Sequence, residues 1–366
     1  MTAAGPAGIQ PPAELSRCRR ADPHAFYAWL RDNAPVYCDR RPNGLNVWMI
    51  TRYDDCRAAL ADDRLSKDIY RAREVLGDAG IPLYSESGGE LGRHLVNCDP
   101  PEHSRLRSLV NHGFTSKQLS LLQPKIQQET HRLLDTIVGH GTVELLNEFA
   151  YPLTFAVICE VLEIPVDARQ DFHRWTAAMF SPQGERRSMS PQQAASNACA
   201  FVASLLEPML RERKCPAGNV AASPLRALIE AHEQGDHLSD AELNSTAVAL
   251  VIAGYETSAN MITNGVYSIL RHPEQYARLL AEPELIDSGI DEFIRYESPV
   301  RKATTRIATV DIEIGGECIP RNSIVNVMIG SANRDSGRFP DAETLDVGRV
   351  DNPHLGFGHG RHYCVG

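Results

Sequence analysis

The last ten residues read Phe357-Gly-His-Gly-Arg-His-Tyr-Cys364-Val-Gly366. They set one thiol among three glycines, Gly358, Gly360 and Gly366. Glycine lets backbone come close to something flat or bulky. Arg361 and His362 bring positive charge and donors beside Cys364, which favours its thiolate. Phe357 offers a ring to pack on a planar ligand. A thiolate held in this way is what a haem iron with a single protein ligand requires. Most of the nine cysteines read instead as small buried hydrophobes. Their count is odd and no Cys-x-x-Cys occurs, so zinc-ribbon and thioredoxin-type sites have no support. Scattered cysteines suit a reducing compartment, and the chain reads as cytoplasmic.

Three other stretches could carry chemistry. Ala253-Gly-Tyr-Glu256-Thr257-Ser lies in the middle of the longest helical run. Proton delivery needs a hydroxyl near the acceptor and an ionisable group behind it, and Thr257 with Glu256 supplies both. Taken alone, the stretch reads as helix with an incidental glycine. Gly254 weakens the helical ladder and Thr257 can bond back to an upstream carbonyl, so a local bulge or kink is expected. Glu292-Phe-Ile-Arg295 is an i,i+3 pair, ordinarily a surface ion pair worth roughly a few tenths of a kcal/mol. In Asp99-Pro-Pro-Glu-His103-Ser-Arg-Leu-Arg107 the prolines start a helix, and His103 and Arg107 share one face. Taken alone, that face reads as a solvated basic face.

The elements that must position these residues are mostly helical. A helix is expected after Asp22-Pro23, and a hairpin from Val36–Cys38 and Asn46–Ile50 around Pro42-Asn43-Gly44. From about 102 to 302 the pattern is helical, with long amphipathic runs at Lys117–Val138, Ala194–Arg213 and Ala241–Leu270. Strands return at Arg306–Ile314 and Ser323–Ile329, either side of Gly315-Gly316. Residues 63–99, rich in glycine yet carrying Tyr70, Leu76, Ile81, Leu83 and Tyr84, read as a long irregular lid or pocket wall. Residues 1–20 read as a flexible Pro-rich tail, and 21–366 as a single domain. The fold class is mainly α, a large helical body with small β-sheets.

Composition narrows the function. The chain has 366 residues, 37 Lys+Arg against 47 Asp+Glu and a net charge of −10. Hydrophobic content of 43% and charged content of 23% exclude disorder and a small disulfide scaffold. The acidic balance argues against a nucleic-acid partner. The N-terminus lacks a secretory pattern, and the most apolar run, Ala247–Ala253, is too short for a membrane anchor.

Phe357-Gly-His-Gly-Arg-His-Tyr-Cys364 resembles the haem-binding loop of the cytochrome P-450 haem-thiolate monooxygenases, and the other three stretches follow in that family's order and spacing. The resemblance runs from about Asp22 to Gly366 and is closest to the soluble bacterial branch. It implies the P-450 fold, with haem b as cofactor and Cys364 as axial ligand to its iron. Phe357 and Gly358 would line the haem. His103, Arg107, Arg306 and His362 would bind the propionates. Thr257 would donate a proton toward bound O2, and Glu256 would relay protons from solvent. Glu292, Arg295 and Arg349 would form a buried structural network behind the cysteine loop. Ala253 and Val300 would line an apolar pocket.

The activity implied is insertion of one oxygen atom of O2 into a lipophilic substrate, by hydroxylation or epoxidation, in bacterial secondary metabolism. A peroxide-using peroxygenase and a non-enzymatic haem sensor or binder are the alternatives. Electrons would come from a ferredoxin and its NAD(P)H-dependent ferredoxin reductase, docking near Arg361 and Arg105. The family continues past the cysteine into a further helix and a terminal sheet region. The chain is therefore expected to lack the last helix and that sheet, as a fragment of a longer reading frame.

Overall fold

The computed structural model describes residues 9–19, 22–41, 45–76, 94–180, 193, 196–197, 200–204, 207, 225, 229 and 239–366. The Pro42-Asn43-Gly44 turn, residues 77–93 of the expected lid and most of the Ala194–Arg213 run lie outside them. Contacts divide the chain into two compact units, Met1–Ala79 with Met261–Cys364, and Gly80–Asn260 with Val365–Gly366.

The first unit is built around a five-stranded sheet. Helix α1 (Ala13–Cys18) falls within the stretch expected to be a loose tail, and its Leu15 packs on an apolar cluster with Phe26, Tyr27 and Leu30. Helix α2 (His24–Asn33) starts as expected, with the Asp22 carboxylate accepting from the His24 N–H at 3.0 Å. Strands β1 (Val36–Arg40) and β2 (Asn46–Ile50) pair antiparallel, with Val36 opposite Ile50. Helix α3 (Tyr53–Ala61), strand β3 (Leu65–Ser66) and helix α4 (Ile69–Leu76) follow. The start of the supposed irregular stretch is thus regular structure, consistent with its apolar spacing.

The expected strand Arg306–Ile314 is two strands. β4 (Arg306–Ala308) joins the large sheet and β5 (Ile312–Ile314) leaves it to pair with β6 (Glu317–Ile319). The break falls where the Thr309 N–H turns to the Arg64 carbonyl (2.8 Å) and Asp311 accepts from the Arg321 N–H (2.7 Å). Gly315 and Gly316 make the hairpin turn with φ of +57° and +80°, which both central residues of a type I′ turn require. Strand β7 (Ile324–Val327) closes the sheet order β1-β2-β7-β4-β3, parallel to β2 and antiparallel to β4. Its core includes Trp48, Ile50, Val325, Val327, Phe339 and Leu355.

The second unit is helical. Helices α5 (Glu102–Gly113), α6 (Ser116–Ile137), α7 (Tyr151–Val161) and α8 (Arg169–Phe180) belong to it. So does most of α9 (Asp240–Leu270), which begins in a capping box: Ser239 Oγ accepts from the Glu242 N–H and the Glu242 carboxylate from the Ser239 N–H. The core gathers Phe155, Ile158, Phe172, Leu243, Val251 and Tyr255. The C-terminal part of α9 belongs to the first unit, with α10 (Pro273–Ala281), α11 (Ile286–Tyr296) and the short α12 (Ile329–Ala332). Among the described residues no helix is long and apolar enough to cross a membrane.

Candidate active site

The cysteine loop closes on itself. The Cys364 N–H donates to the Phe357 carbonyl at 2.8 Å, the Gly358 N–H to Leu355 at 2.8 Å and the Tyr363 N–H to Gly360 at 3.0 Å. Gly358 and Gly360 sit at φ +79° and +74°, a region open to glycine. A Cβ on Gly360 would lie 3.1 Å from Ala61 Cα, so the single turn Gly360–His362 rests directly on the end of α3. A Cβ on Gly356 would lie 2.2 Å from Ile294 Cγ2, which fixes how closely the loop meets α11.

Cys364 is exposed at the end of this loop. Cys56 and Cys159 are fully buried, and burial pushes the Cys159 thiol up to about 12. Those two are packing residues, but the expectation does not hold for most of the cysteines: among the described residues Cys18 and Cys318 are exposed and Cys38 and Cys98 only partly buried. An exposed thiol beside backbone stripped of side chains fits a flat macrocycle held by one thiolate, and Phe357 supplies an aromatic face next to it. Arg361 pairs with Asp63. Arg105, expected as a docking cation, is half-buried and paired with Glu242.

Behind the loop lies a buried ionic network. Glu292 and Arg295 on α11 are fully buried and paired two-pronged, Nε to Oε2 at 2.7 Å and Nη2 to Oε1 at 2.8 Å. The surface-pair reading of these residues is therefore wrong, since the tertiary fold covers them. Arg349 Nε donates to the same Glu292 Oε2 at 3.1 Å. Glu292 also accepts from the Asp346 N–H (2.9 Å) and Asn352 Nδ2 (3.2 Å). Arg295 spends its remaining donors on the carbonyls of Asn333, Ala342 and Thr344. Every charge here meets charge or a carbonyl, the condition under which a buried ion pair is tolerable. Arg295 thereby ties α11 to the segment after α12, and Arg349 ties in the chain just before the cysteine loop.

In α9 the Thr257 hydroxyl donates back to the Ala253 carbonyl, as its position allows. The helix runs unbroken from Asp240 to Leu270. Gly254 has another use, since a Cβ there would meet Ile158 Cδ1 at 3.3 Å, so the glycine admits α7. Tyr255 is buried and stacked on Tyr151 at 5.0 Å. Glu256 is half-buried, and burial raises its carboxyl above the ordinary glutamate value. Ala253 is exposed on α9, whereas Val300 packs partly buried against the core of the first unit.

His103, buried, and Arg107, half-buried, lie on α5 in the second unit. Arg306, buried at the start of β4 with Nη1 on the Thr304 carbonyl (3.1 Å), and His362 in the loop belong to the first.

A family model for cytochrome P450 matches residues 46–366. The chain belongs to the cytochrome P450 family. It is 39% identical over 347 residues to cytochrome P450 107B1 of Saccharopolyspora erythraea, covering 94% of this chain and 83% of that protein. It is 37% identical over 349 residues to the 6-deoxyerythronolide B hydroxylase of the same organism, covering 94% and 84%. The structure of the myxobacterial cytochrome P450 CYP267B1 in complex with myristic acid superposes with a TM-score of 0.81 at 33% identity, covering 97% of this chain and 87% of that one. This P450 is accordingly a haem-iron monooxygenase of the P450 fold, using O2 and a lipophilic substrate.

Two contributors to the P450 loop escaped the sequence reading. Asn333 and His354 hold Leu355 and Gly356 in place, and neither sits in a spacing that announces a role. For His354 the one available signal is Asn352-Pro353, a turn-forming pair just before it.

Proposed function

We propose that this P450 hydroxylates or epoxidises a mid-sized lipophilic natural product, with haem b bound by Cys364 within a single domain over 21–366. The carrying observation is the exposed Cys364 at the end of a loop shaped by Gly356, Gly358 and Gly360. The substrate class draws support from the relatives, which include a mycinamicin IV hydroxylase/epoxidase and a vitamin D(3) 25-hydroxylase, 36% and 35% identical to this chain.

Bound haem supplies reductive activation of O2, with the thiolate favouring O–O cleavage. Cys364 Sγ would ligate the iron, and Phe357 and Gly358 would line the haem. His103, Arg107, Arg306 and His362 would bind the propionates, since four donors suit two carboxylates. Thr257 holds a hydroxyl proton at Oγ1 for delivery toward O2. Glu256, whose carboxyl burial raises above the ordinary glutamate value, resupplies that proton. Ala253 and Val300 present apolar wall to the substrate. Glu292, Arg295 and Arg349 keep the loop in register. A ferredoxin and its NAD(P)H-dependent reductase deliver electrons in the cytoplasm.

The test is the ferrous carbonyl spectrum. Wild type should show the far-red-shifted absorption of a thiolate complex, and Cys364→His should bind haem without it. Survival of that absorption in the variant would disprove the ligand assignment. A panel of natural products, read by the low- to high-spin shift, then identifies the substrate class.

A further inference from the structure

His354 sits ten residues before the cysteine, its side chain only 5% exposed. Its Nδ1 accepts from the Gly356 N–H at 3.1 Å, and its Nε2 faces Asp291 Oδ1 on α11 at 3.5 Å. Its ring lies 5.7 Å from that of Phe357. A backbone N–H can only donate, so Nδ1 must carry the lone pair and the proton must be on Nε2, facing the carboxylate. One imidazole thus holds both the loop and the helix behind it. It does so at Gly356, whose backbone approaches α11 so closely that an added Cβ would fall 2.2 Å from Ile294 Cγ2.

We infer that His354 is a positioning residue for the cysteine loop, acting as the neutral Nε2–H tautomer and releasing Gly356 and Phe357 when it takes a second proton. This rests on the reading of Cys364 as haem ligand. A proton on Nδ1 would set two donors face to face across 3.1 Å, and the bond would become a repulsion. The charged groups bearing on the ring, among the described residues, are Asp291, Glu292 and Arg295, all on α11; the loop side is neutral, with the Gly356 N–H and the Phe357 ring. Glu292 is already committed to Arg295 and Arg349. Burial outweighs the pull of Asp291 and holds the imidazole below its ordinary value. With the folded value depressed, the clamp is fully present above the unfolded histidine pKa of about 6.5 and is lost as pH falls through the folded value.

The holoenzyme tests this through the fraction of thiolate-type carbonyl complex as pH falls from about 8 to about 5, with far-UV circular dichroism followed alongside. Wild type should convert from thiolate to non-thiolate form while its dichroism is unchanged. His354→Asn offers a carbonyl to the N–H two residues on, as Asx turns do, and has nothing to titrate. It should keep the thiolate form near pH 8 and convert at least about one pH unit lower than wild type. His354→Leu cannot accept the bond and should be largely non-thiolate already near pH 8. Coincident acid profiles for wild type and His354→Asn would overturn the clamp, whether or not His354→Leu folds. Wild type with no thiolate absorption near pH 8 would overturn the ligand assignment and the clamp with it.

Discussion

The side-chain oxygen of Asn333 accepts the Leu355 N–H at 2.7 Å. The same residue's backbone carbonyl accepts from Arg295 Nη1 at 2.8 Å, and its Nδ2 donates to Ser298 Oγ at 2.9 Å. One fully buried asparagine therefore links the ionic network on α11 to the first residue of the cysteine loop. Asn333→Leu removes the acceptor and strands the Leu355 N–H in the core. The expected cost is about 1–3 kcal/mol, with weaker haem retention, read by chemical denaturation and by the haem-to-protein ratio after gel filtration. Retention equal to wild type would mean that the link does not position the loop.

Glu292 is the hub of five hydrogen bonds from Arg295, Arg349, Asp346 and Asn352. Glu292→Gln leaves the buried Arg295 guanidinium, and the half-buried one of Arg349, facing a neutral amide. Breaking a buried pair in this way costs about 3–5 kcal/mol, a large share of a typical stability. Arg349→Lys should cost less, because only its Nε reaches Glu292 and its other donors go to the carbonyls of Pro340, Asp341 and Thr344. Urea midpoints at matched slope order the two variants, and the reverse order would contradict this account.

The sequence made the helices legible where periodicity was sustained: Ala241–Leu270 appears as Asp240–Leu270, and Lys117–Val138 as Ser116–Ile137. It also exposed the cysteine loop, because glycines around one thiol have few other uses. The i,i+3 spacing taken alone does not show that Glu292 and Arg295 are buried, since such a pair reads the same on a surface and in a core. Nor did the sequence separate β4 from β5, because that break is set by the Thr309 N–H turning to Arg64, 245 residues away along the chain. The packing neighbour of Gly254 is hidden for a similar reason, as the side chain it makes room for, Ile158, lies on α7.

Gly356 makes a packing prediction that the neighbouring glycines do not. A methyl group there would overlap Ile294 Cγ2 at 2.2 Å and press on His354 Nδ1 at 3.0 Å. Gly356→Ala should cost about 1–3 kcal/mol by overpacking and lower the thiolate fraction of the carbonyl complex. Ile294→Ala empties the space on α11, so the double variant should be more stable than the two single costs predict. A double-mutant cycle with no coupling would show that the loop relaxes away from α11 instead.

Thr257 and Glu256 separate by what each variant loses. Thr257→Ala removes the hydroxyl now resting on the Ala253 carbonyl, and with it the proposed last donor to O2. With a surrogate ferredoxin system, NADPH consumption should persist while product per NADPH falls roughly tenfold or more. Thr257→Ser restores the hydroxyl and should recover most of the coupling. Glu256 acts one step back, and its burial holds the carboxyl above the ordinary glutamate value. Its proton-bearing form is present below that raised value and is depleted as pH rises through it, so turnover should decline on the alkaline side of that titration. Glu256→Gln should be slow throughout and should lose this limb, with little change in substrate affinity. Coupling in Thr257→Ala equal to wild type, or an alkaline limb retained in Glu256→Gln, would remove the corresponding residue from the relay.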